Sequence, residues 1–209
     1  MGLRESKKVR IRQEIADKAM QLFVARGFDH VTVAEVAAAA DVSQKTVFNY
    51  FPTKEDLFFD EVPAREAALV DAIRGRRPDE TIVAALRRMQ VSECPRMCTP
   101  GFATFARIIE ESPALRAKEL EIMARFTEVL AEAIRSELGA HELDAKIAAN
   151  VLVGVHWQLF RNARTQALAG RTGPAAVKRL RSDLERAYRL LEQGLGSLEA
   201  EPAPDAASA

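Results

Sequence analysis

Thr32-Val33-Ala34-Glu35-Val36-Ala37-Ala38-Ala39-Ala40-Asp41-Val42-Ser43-Gln44-Lys45-Thr46-Val47-Phe48-Asn49-Tyr50-Phe51-Pro52 decides the fold of this 209-residue chain, because it reads as two short helices joined by a tight turn. Thr32 stands three residues before Glu35. At that spacing a Thr hydroxyl and a Glu carboxylate reciprocally satisfy the free amides of a helix start. A helix is therefore predicted through about Ala39. Ala40, Asp41 and Val42 form the break, Ser43 can cap a further helix, and Pro52 forbids its continuation past Tyr50. Two helices joined this way can cross so that the second fits a DNA major groove about 12 Å wide. That second helix is polar on its outer face, with only Val47 and the following Phe51 as core anchors. Gln, Asn, Thr and Lys are the side chains that base edges and phosphates require.

Upstream, Ile11, Ile15, Ala19, Leu22 and Phe23 recur at helical spacing from Arg10 until Gly27 supplies a stop, which predicts a first amphipathic helix. Downstream, Thr53 with Asp56 starts a fourth helix carrying Leu57, Phe58 and Val62, and Pro63 predicts a kink or break in it.

Thr32-Val33-x-Glu35-Val36-Ala37, followed by Val42-Ser43-x-x-Thr46-Val47-Phe48-x-Tyr50-Phe51-Pro52-x-Lys54-Glu55-Asp56-Leu57, resembles the TetR (tetracycline-repressor) family. The resemblance runs in order and without gaps from Arg10 to about Asp60, and the length and helical remainder agree with that family's nine-helix layout. It implies a homodimer on a palindromic operator, with Thr32, Tyr50 and Lys54 on phosphates. Ser43 caps the reading helix, while Gln44, Lys45, Thr46 and Asn49 lie at or near base edges. Phe48 departs from the Tyr that many relatives carry, and a phenyl ring cannot donate to a phosphate. Packing against a sugar or a thymine methyl, or within the core, is then its role. For each polar residue the plainer alternative is simple exposure, with Ser43 only a cap and Lys54 only a surface charge.

Composition agrees with an all-α chain. Aromatics are 6%, with 10 Gly and 9 Pro, and Ala, Leu, Arg and Glu dominate. The formal net charge is zero, so any DNA footprint must be local. Between Met1 and Arg12 five basic residues face one acidic residue, a net charge of +4, either a solvated tail or a phosphate-reaching arm. The start of the chain has no apolar signal region and no stretch approaches the ~20 apolar residues of a membrane span, which predicts a soluble, cytoplasmic protein without membrane partners.

Further helices are predicted at about 79–92, 101–110, 113–138, 142–168 and 174–193, with an unstructured tail over 199–209. The expected organisation is an all-α chain of about nine helices. It comprises a helix-turn-helix unit over 1–55 and an effector-binding and dimerisation unit over 56–198. The 113–138 helix carries Leu115, Ile122, Met123, Phe126, Val129, Leu130 and Ile134, with Arg116, Glu119, Arg125, Glu128 and Glu132 between them. Residues 147–160 are apolar almost all round, and Ala148, Ala149 and Gly154 would admit a second helix closely. The resemblance implies that the last two helices pair with their mates, which makes Val151, Val155, Leu184, Tyr188 and Leu191 the interface candidates.

Phe102, Phe105, Met123, Phe126, His156, Trp157 and Phe160 are candidates to line a small-molecule pocket, with ordinary core packing as the alternative. No nucleophile elbow, phosphate loop or zinc-protease motif is present, so no enzyme and no cofactor is expected. The expectation is a ligand-responsive repressor binding double-stranded DNA. The alternatives are a thiol or metal-responsive regulator using Cys94 and Cys98, and a DNA binder without effector. Pro95 between the cysteines argues against a regular metal site, and no metal ligand set is assigned.

Overall fold

The computed structural model describes residues 3–194, with side chains from Ser6 onward, and the predicted unstructured tail lies outside the described residues. Every regular element among the described residues is helical. In order these are α1 (Leu3–Arg26), α2 (Val33–Ala39), α3 (Gln44–Tyr50), α4 (Lys54–Phe58), α5 (Val62–Arg74) and α6 (Ile82–Glu93). A single 3-10 turn (Arg96–Cys98) then precedes α7 (Pro100–Glu111), α8 (Pro113–Leu138), α9 (Glu142–Leu168) and α10 (Pro174–Gln193).

Two boundaries differ from the sequence reading. The predicted fourth helix is two helices: α4 ends at Phe59, and α5 starts afresh with Pro63 in its first turn. Proline lacks the amide that a first turn leaves unpaired anyway, so Pro63 opens a helix here and does not kink one. The first helix begins at Leu3 and not near Arg10. Its early residues have no apolar periodicity to betray a helix, yet Lys, Arg and Glu all have good helix propensity.

Three apolar cores hold the helices together. The first gathers Ile15, Ala19 and Phe23 of α1, Val36 of α2, Val47 and Phe51 around α3, and Leu57 and Phe58 of α4. Ile108 and Ile109 of α7 and Leu115 of α8 close that same core, so the reading head shares its core with the body. The second core packs Leu69 and Ile73 of α5 and Leu86 of α6 against Phe126, Leu130 and Ile134 of α8 and Leu152 of α9. The third joins Cys94, Met97 and Cys98 to Leu159 and Ala163 of α9 and Leu180, Leu184 and Tyr188 of α10.

The two longest helices, α8 and α9, form the backbone of the body. α8 is punctuated at both ends. Ser112 caps its start, Pro113 occupies its first turn, and Gly139 closes it in the left-handed conformation at φ 61. Across the α8–α9 contact lies a buried charge cluster: Arg164 Nη1 donates to both Glu119 oxygens at 2.9 and 2.8 Å, and its Nε lies 3.1 Å from Glu110 Oε1. Glu119, read in sequence as one of the polar residues between the apolar ones, is only 4% exposed. Burial raises its carboxyl pKa and the guanidinium opposes the shift.

Candidate nucleic-acid interface

The reading head is built from caps. Thr32 precedes α2 and accepts from the Glu35 amide at 3.3 Å, while Glu35 Oε2 accepts from the Thr32 amide at 2.8 Å. Glu35 also accepts from Arg26 Nη1 at 2.7 Å. The Thr32 amide first, then Arg26, hold the carboxyl down at about 2. α2 and α3 are joined through Asp41, the only non-glycine among the described residues with positive φ, at 52°. Asp tolerates this left-handed conformation better than most side chains, and it lets Val42 N donate back to Ala37 O at 3.0 Å. Ser43 then caps α3, accepting from the Thr46 amide at 3.0 Å and sharing a 2.8 Å hydroxyl contact with Thr46 Oγ1.

α3 hangs from the head by Val47, fully buried, and by Phe51 just past its end. Gln44, Lys45, Phe48 and Asn49 project outward, and Phe48 is 48% exposed, which takes it out of the core. An exposed phenyl on a polar helix face suits a sugar or a thymine methyl.

The remaining site residues are placed differently from one another. Tyr50 is half-buried and lines a cleft of about 340 Å³ between head and body, beside Arg12, Asp56 and Lys118. Lys54 Nζ donates to Phe28 O at 2.9 Å and Val31 O at 3.0 Å, and sits 4.1 Å from the Phe28 ring centroid. Two of its three donors are thus spent inside the head, and one is left for a phosphate. Of the basic run, Lys7, Lys8 and Arg10 are exposed. Arg12 turns inward to Asp60 O at 2.9 Å and the Phe51 ring at 4.7 Å.

Three polar ties that sequence reasoning missed join head to body. Ser112 Oγ donates to Asp29 Oδ1 at 2.7 Å, Lys118 Nζ lies 3.2 Å from Asp56 Oδ1, and Arg12 grips the α4–α5 link. They span long sequence separations, and no local pattern announces them. An aromatic chain runs the same way. Phe58 stacks on Phe105 at 4.6 Å, followed by Phe105–Phe102 at 6.2 Å, Phe102–Phe160 at 5.6 Å and Phe160–Trp157 at 5.7 Å.

Five of the seven pocket candidates therefore touch ring to ring or through one neighbour. Phe126 pairs with His156 at 6.3 Å, and Met123 packs at the edge of the second core. The largest cleft described, about 740 Å³, has other walls, among them Cys98, Pro100, Pro174, Val177 and Arg181.

Two interface candidates need correction. Leu184 and Tyr188 are 1% and 0% exposed and point into the third core of their own protomer, because α10 turns its apolar stripe toward α9 and α6. Val155 and Leu191 are half-buried on that core. Val151 remains, on an outward stripe of α9 with Leu143 and Ile147, at 46, 59 and 54% exposure. Gly154 continues the stripe with open space where a Cβ would stand.

Cys94 and Cys98 are both buried, and burial pushes the Cys94 thiol up to about 11. Almost none of it is thiolate near neutral pH, which is the opposite of a reactive sensor cysteine. No group of three or more His, Cys, Asp or Glu among the described residues is placed to hold a metal ion. None of the described helices is long and apolar enough to cross a membrane.

A capped helix-turn-helix whose second helix presents an unencumbered polar face, set on an all-helical body, defines a DNA-binding transcriptional regulator. The family model for bacterial regulatory proteins of the TetR family matches residues 15–60. The HTH-type transcriptional regulator TcmR of Streptomyces glaucescens is 28% identical over 162 residues, covering 74% of this chain and 71% of the relative. Among solved structures, FadR of Thermus thermophilus is 25% identical with a TM-score of 0.51, covering 95% of this chain and 98% of that one. NalD of Pseudomonas aeruginosa is similar in fold, with a TM-score of 0.56 at 17% identity over 88% and 96% of the two chains. The chain belongs to the TetR family of transcriptional regulators.

Proposed function

We propose that this protein is a homodimeric, cytoplasmic repressor, without enzymatic activity, that leaves a palindromic operator when a small molecule fills its body. The observation that carries this reading is the outward face of α3. Gln44, Lys45, Phe48 and Asn49 are exposed and make no hydrogen bond or ion pair with the rest of the described structure, so they are free to meet base edges. Thr32 and the third donor of Lys54 lie beside them as phosphate contacts. The reading unit comprises the first three helices with α4 packed beneath them, and the rest of the body holds the effector and the partner.

The outward α9 stripe of Leu143, Ile147, Val151 and Gly154 supports dimerisation, since an apolar row on one helix face needs cover. Two heads must then sit about 34–36 Å apart to enter successive major grooves. The T. thermophilus FadR structure is a complex with lauroyl-CoA, which supports a body of this fold taking a small molecule. To reverse a 1:99 occupancy the effector must favour one arrangement by about 5.5 kcal/mol. The Ser112–Asp29 and Lys118–Asp56 ties are where that preference reaches the head.

Selection of random duplexes by the purified protein at two salt concentrations tests the reading. A palindrome with half-sites one helical turn or a small multiple apart is the expected result. Salt-sensitive retention without an enriched sequence would leave only a non-specific DNA binder.

A further inference from the structure

Between the second and third apolar cores lies a seam where apolar packing gives way to polar groups. Val83 and Leu191 touch both cores and mark its position. Tyr188 of α10 is 0% exposed and its hydroxyl has no hydrogen-bond partner. Gln90 of α6, 4% exposed, faces it, and Gln90 Oε1 is likewise without a hydrogen bond. Glu66 of α5 is 7% exposed; its Oε1 lies 2.5 Å from Arg125 Nε, an ion pair that balances its charge without hydrogen-bond alignment. The Arg65–Glu93 ion pair at 3.7 Å sets α5 beside α6 and brings Glu66 within about one helical turn of the level of Gln90. His156 of α9 meets the Phe126 ring at 6.3 Å, feels the charge of Arg65, and makes no hydrogen bond among the described residues.

Buried polar atoms left unpaired are rare because each forfeits its hydration, and several on four helices at one level call for an occupant. We propose that Glu66, Gln90, His156 and Tyr188 are the polar anchors of the effector site, and that they take an uncharged aromatic molecule carrying hydroxyl groups. This rests on the reading of the protein as an effector-controlled regulator and adds the chemistry of the effector. Two of the waiting atoms, Gln90 Oε1 and Glu66 Oε1, only accept, so the ligand must donate. Tyr188 stays a neutral phenol, and His156, held down at about 4, stays a neutral imidazole, so neither supplies charge at neutral pH. The only ionised pair at the seam, Glu66 with Arg125, is already balanced, and Glu66 repels an anion. Phe126 and Trp157 beside the seam supply faces for ring stacking.

Calorimetric titration of the full chain with dihydroxynaphthalene, its dimethoxy counterpart and naphthoate tests this, with thermal melts of Gln90→Leu and Tyr188→Phe alongside. Expected is a preference of roughly tenfold or more for the diol over both others, because only the diol donates to the unpaired acceptors. The two variants should erase most of that preference while leaving the thermal midpoint unchanged or higher, since each removes an unpaired buried group. Equal binding of the dimethoxy compound or of naphthoate, no binding of the diol, or a fall of several degrees in both midpoints would overturn the proposal. Operator binding by the same samples separates the two readings. Intact operator binding released by a carboxylate, with the diol inert, sinks the ligand chemistry alone. A diol preference without operator binding sinks the regulator reading alone.

Discussion

Asn49 and Gln44 differ from their neighbours in having no duty inside the head. Ser43 and Thr46 are already engaged in capping α3, and Lys54 is tied to two carbonyls. Asn49→Ala or Gln44→Ala should therefore cost about 1–3 kcal/mol at the cognate operator if either makes a bidentate base contact. The melting temperature should stay where it was. A gel-shift titration paired with a thermal melt reads both, and unchanged affinity and base preference would remove that residue from the reading set. Thr32 and Glu35 behave oppositely, because their exchange is structural. Glu35 is held at about 2 against an ordinary 4.5, so its contribution to the head is complete above pH 4.5 and fades as the pH falls toward 2.

Among the elements, α2, α3 and α4 were legible residue by residue. Their caps are local, and Thr32, Ser43 and Thr53 announce them within three positions. The split between α4 and α5 was half legible: Pro63 flagged a discontinuity, but whether it bends one helix or opens another depends on Phe58 and Phe59 turning into the first core. The α8–α9 charge cluster was hidden for a different reason. Glu119 follows Leu115 by four residues, and Arg164 lies next to Ala163 in a stripe that includes Phe160 and Ala167, so both occupy core-facing positions. That register was the available signal. Arg164→Met should destabilise the protein by about 3–5 kcal/mol, because it strands the Glu119 carboxylate in the core. Replacing Glu119 as well, by Leu, should recover part of the loss. Urea unfolding of the single and double variants decides this, and equal losses in both would mean that Arg164 acts through packing alone.

At the scale of the whole molecule, the long-range ties were invisible in sequence because Asp29 meets Ser112, and Asp56 meets Lys118, only once three cores have formed. The interface was legible in part, since Val151 is outward while the apolar stripe of α10 is consumed by its own protomer. Ile147→Asp with Val151→Asp should convert dimer to monomer in sedimentation and weaken operator binding, with helical content preserved. A variant that stays dimeric would move the interface away from α9.

His156 gives the molecule an acid limit. Its imidazole is held at about 4, well below the ordinary 6.5, chiefly by burial and secondarily by Arg65. The unfolded chain therefore takes up a proton that the folded one refuses. Stability is unaffected above about pH 6.5 and declines by up to about 3 kcal/mol as the pH falls to 4. Melts of wild type and His156→Gln between pH 7 and 4 should diverge at wild-type expense, and parallel curves would assign the acid loss to the carboxylates.

The spare face of α3 also bears on ancestry. A regulator changes its target without first being rebuilt when the letters that read the target carry no weight in the fold. Gln44, Lys45, Phe48 and Asn49 meet that condition, because Val47 and Phe51 alone moor the helix. Drift at those four positions is silent for folding and audible only at the operator, so a duplicated copy can acquire a new address in single steps, each copy fully folded along the way.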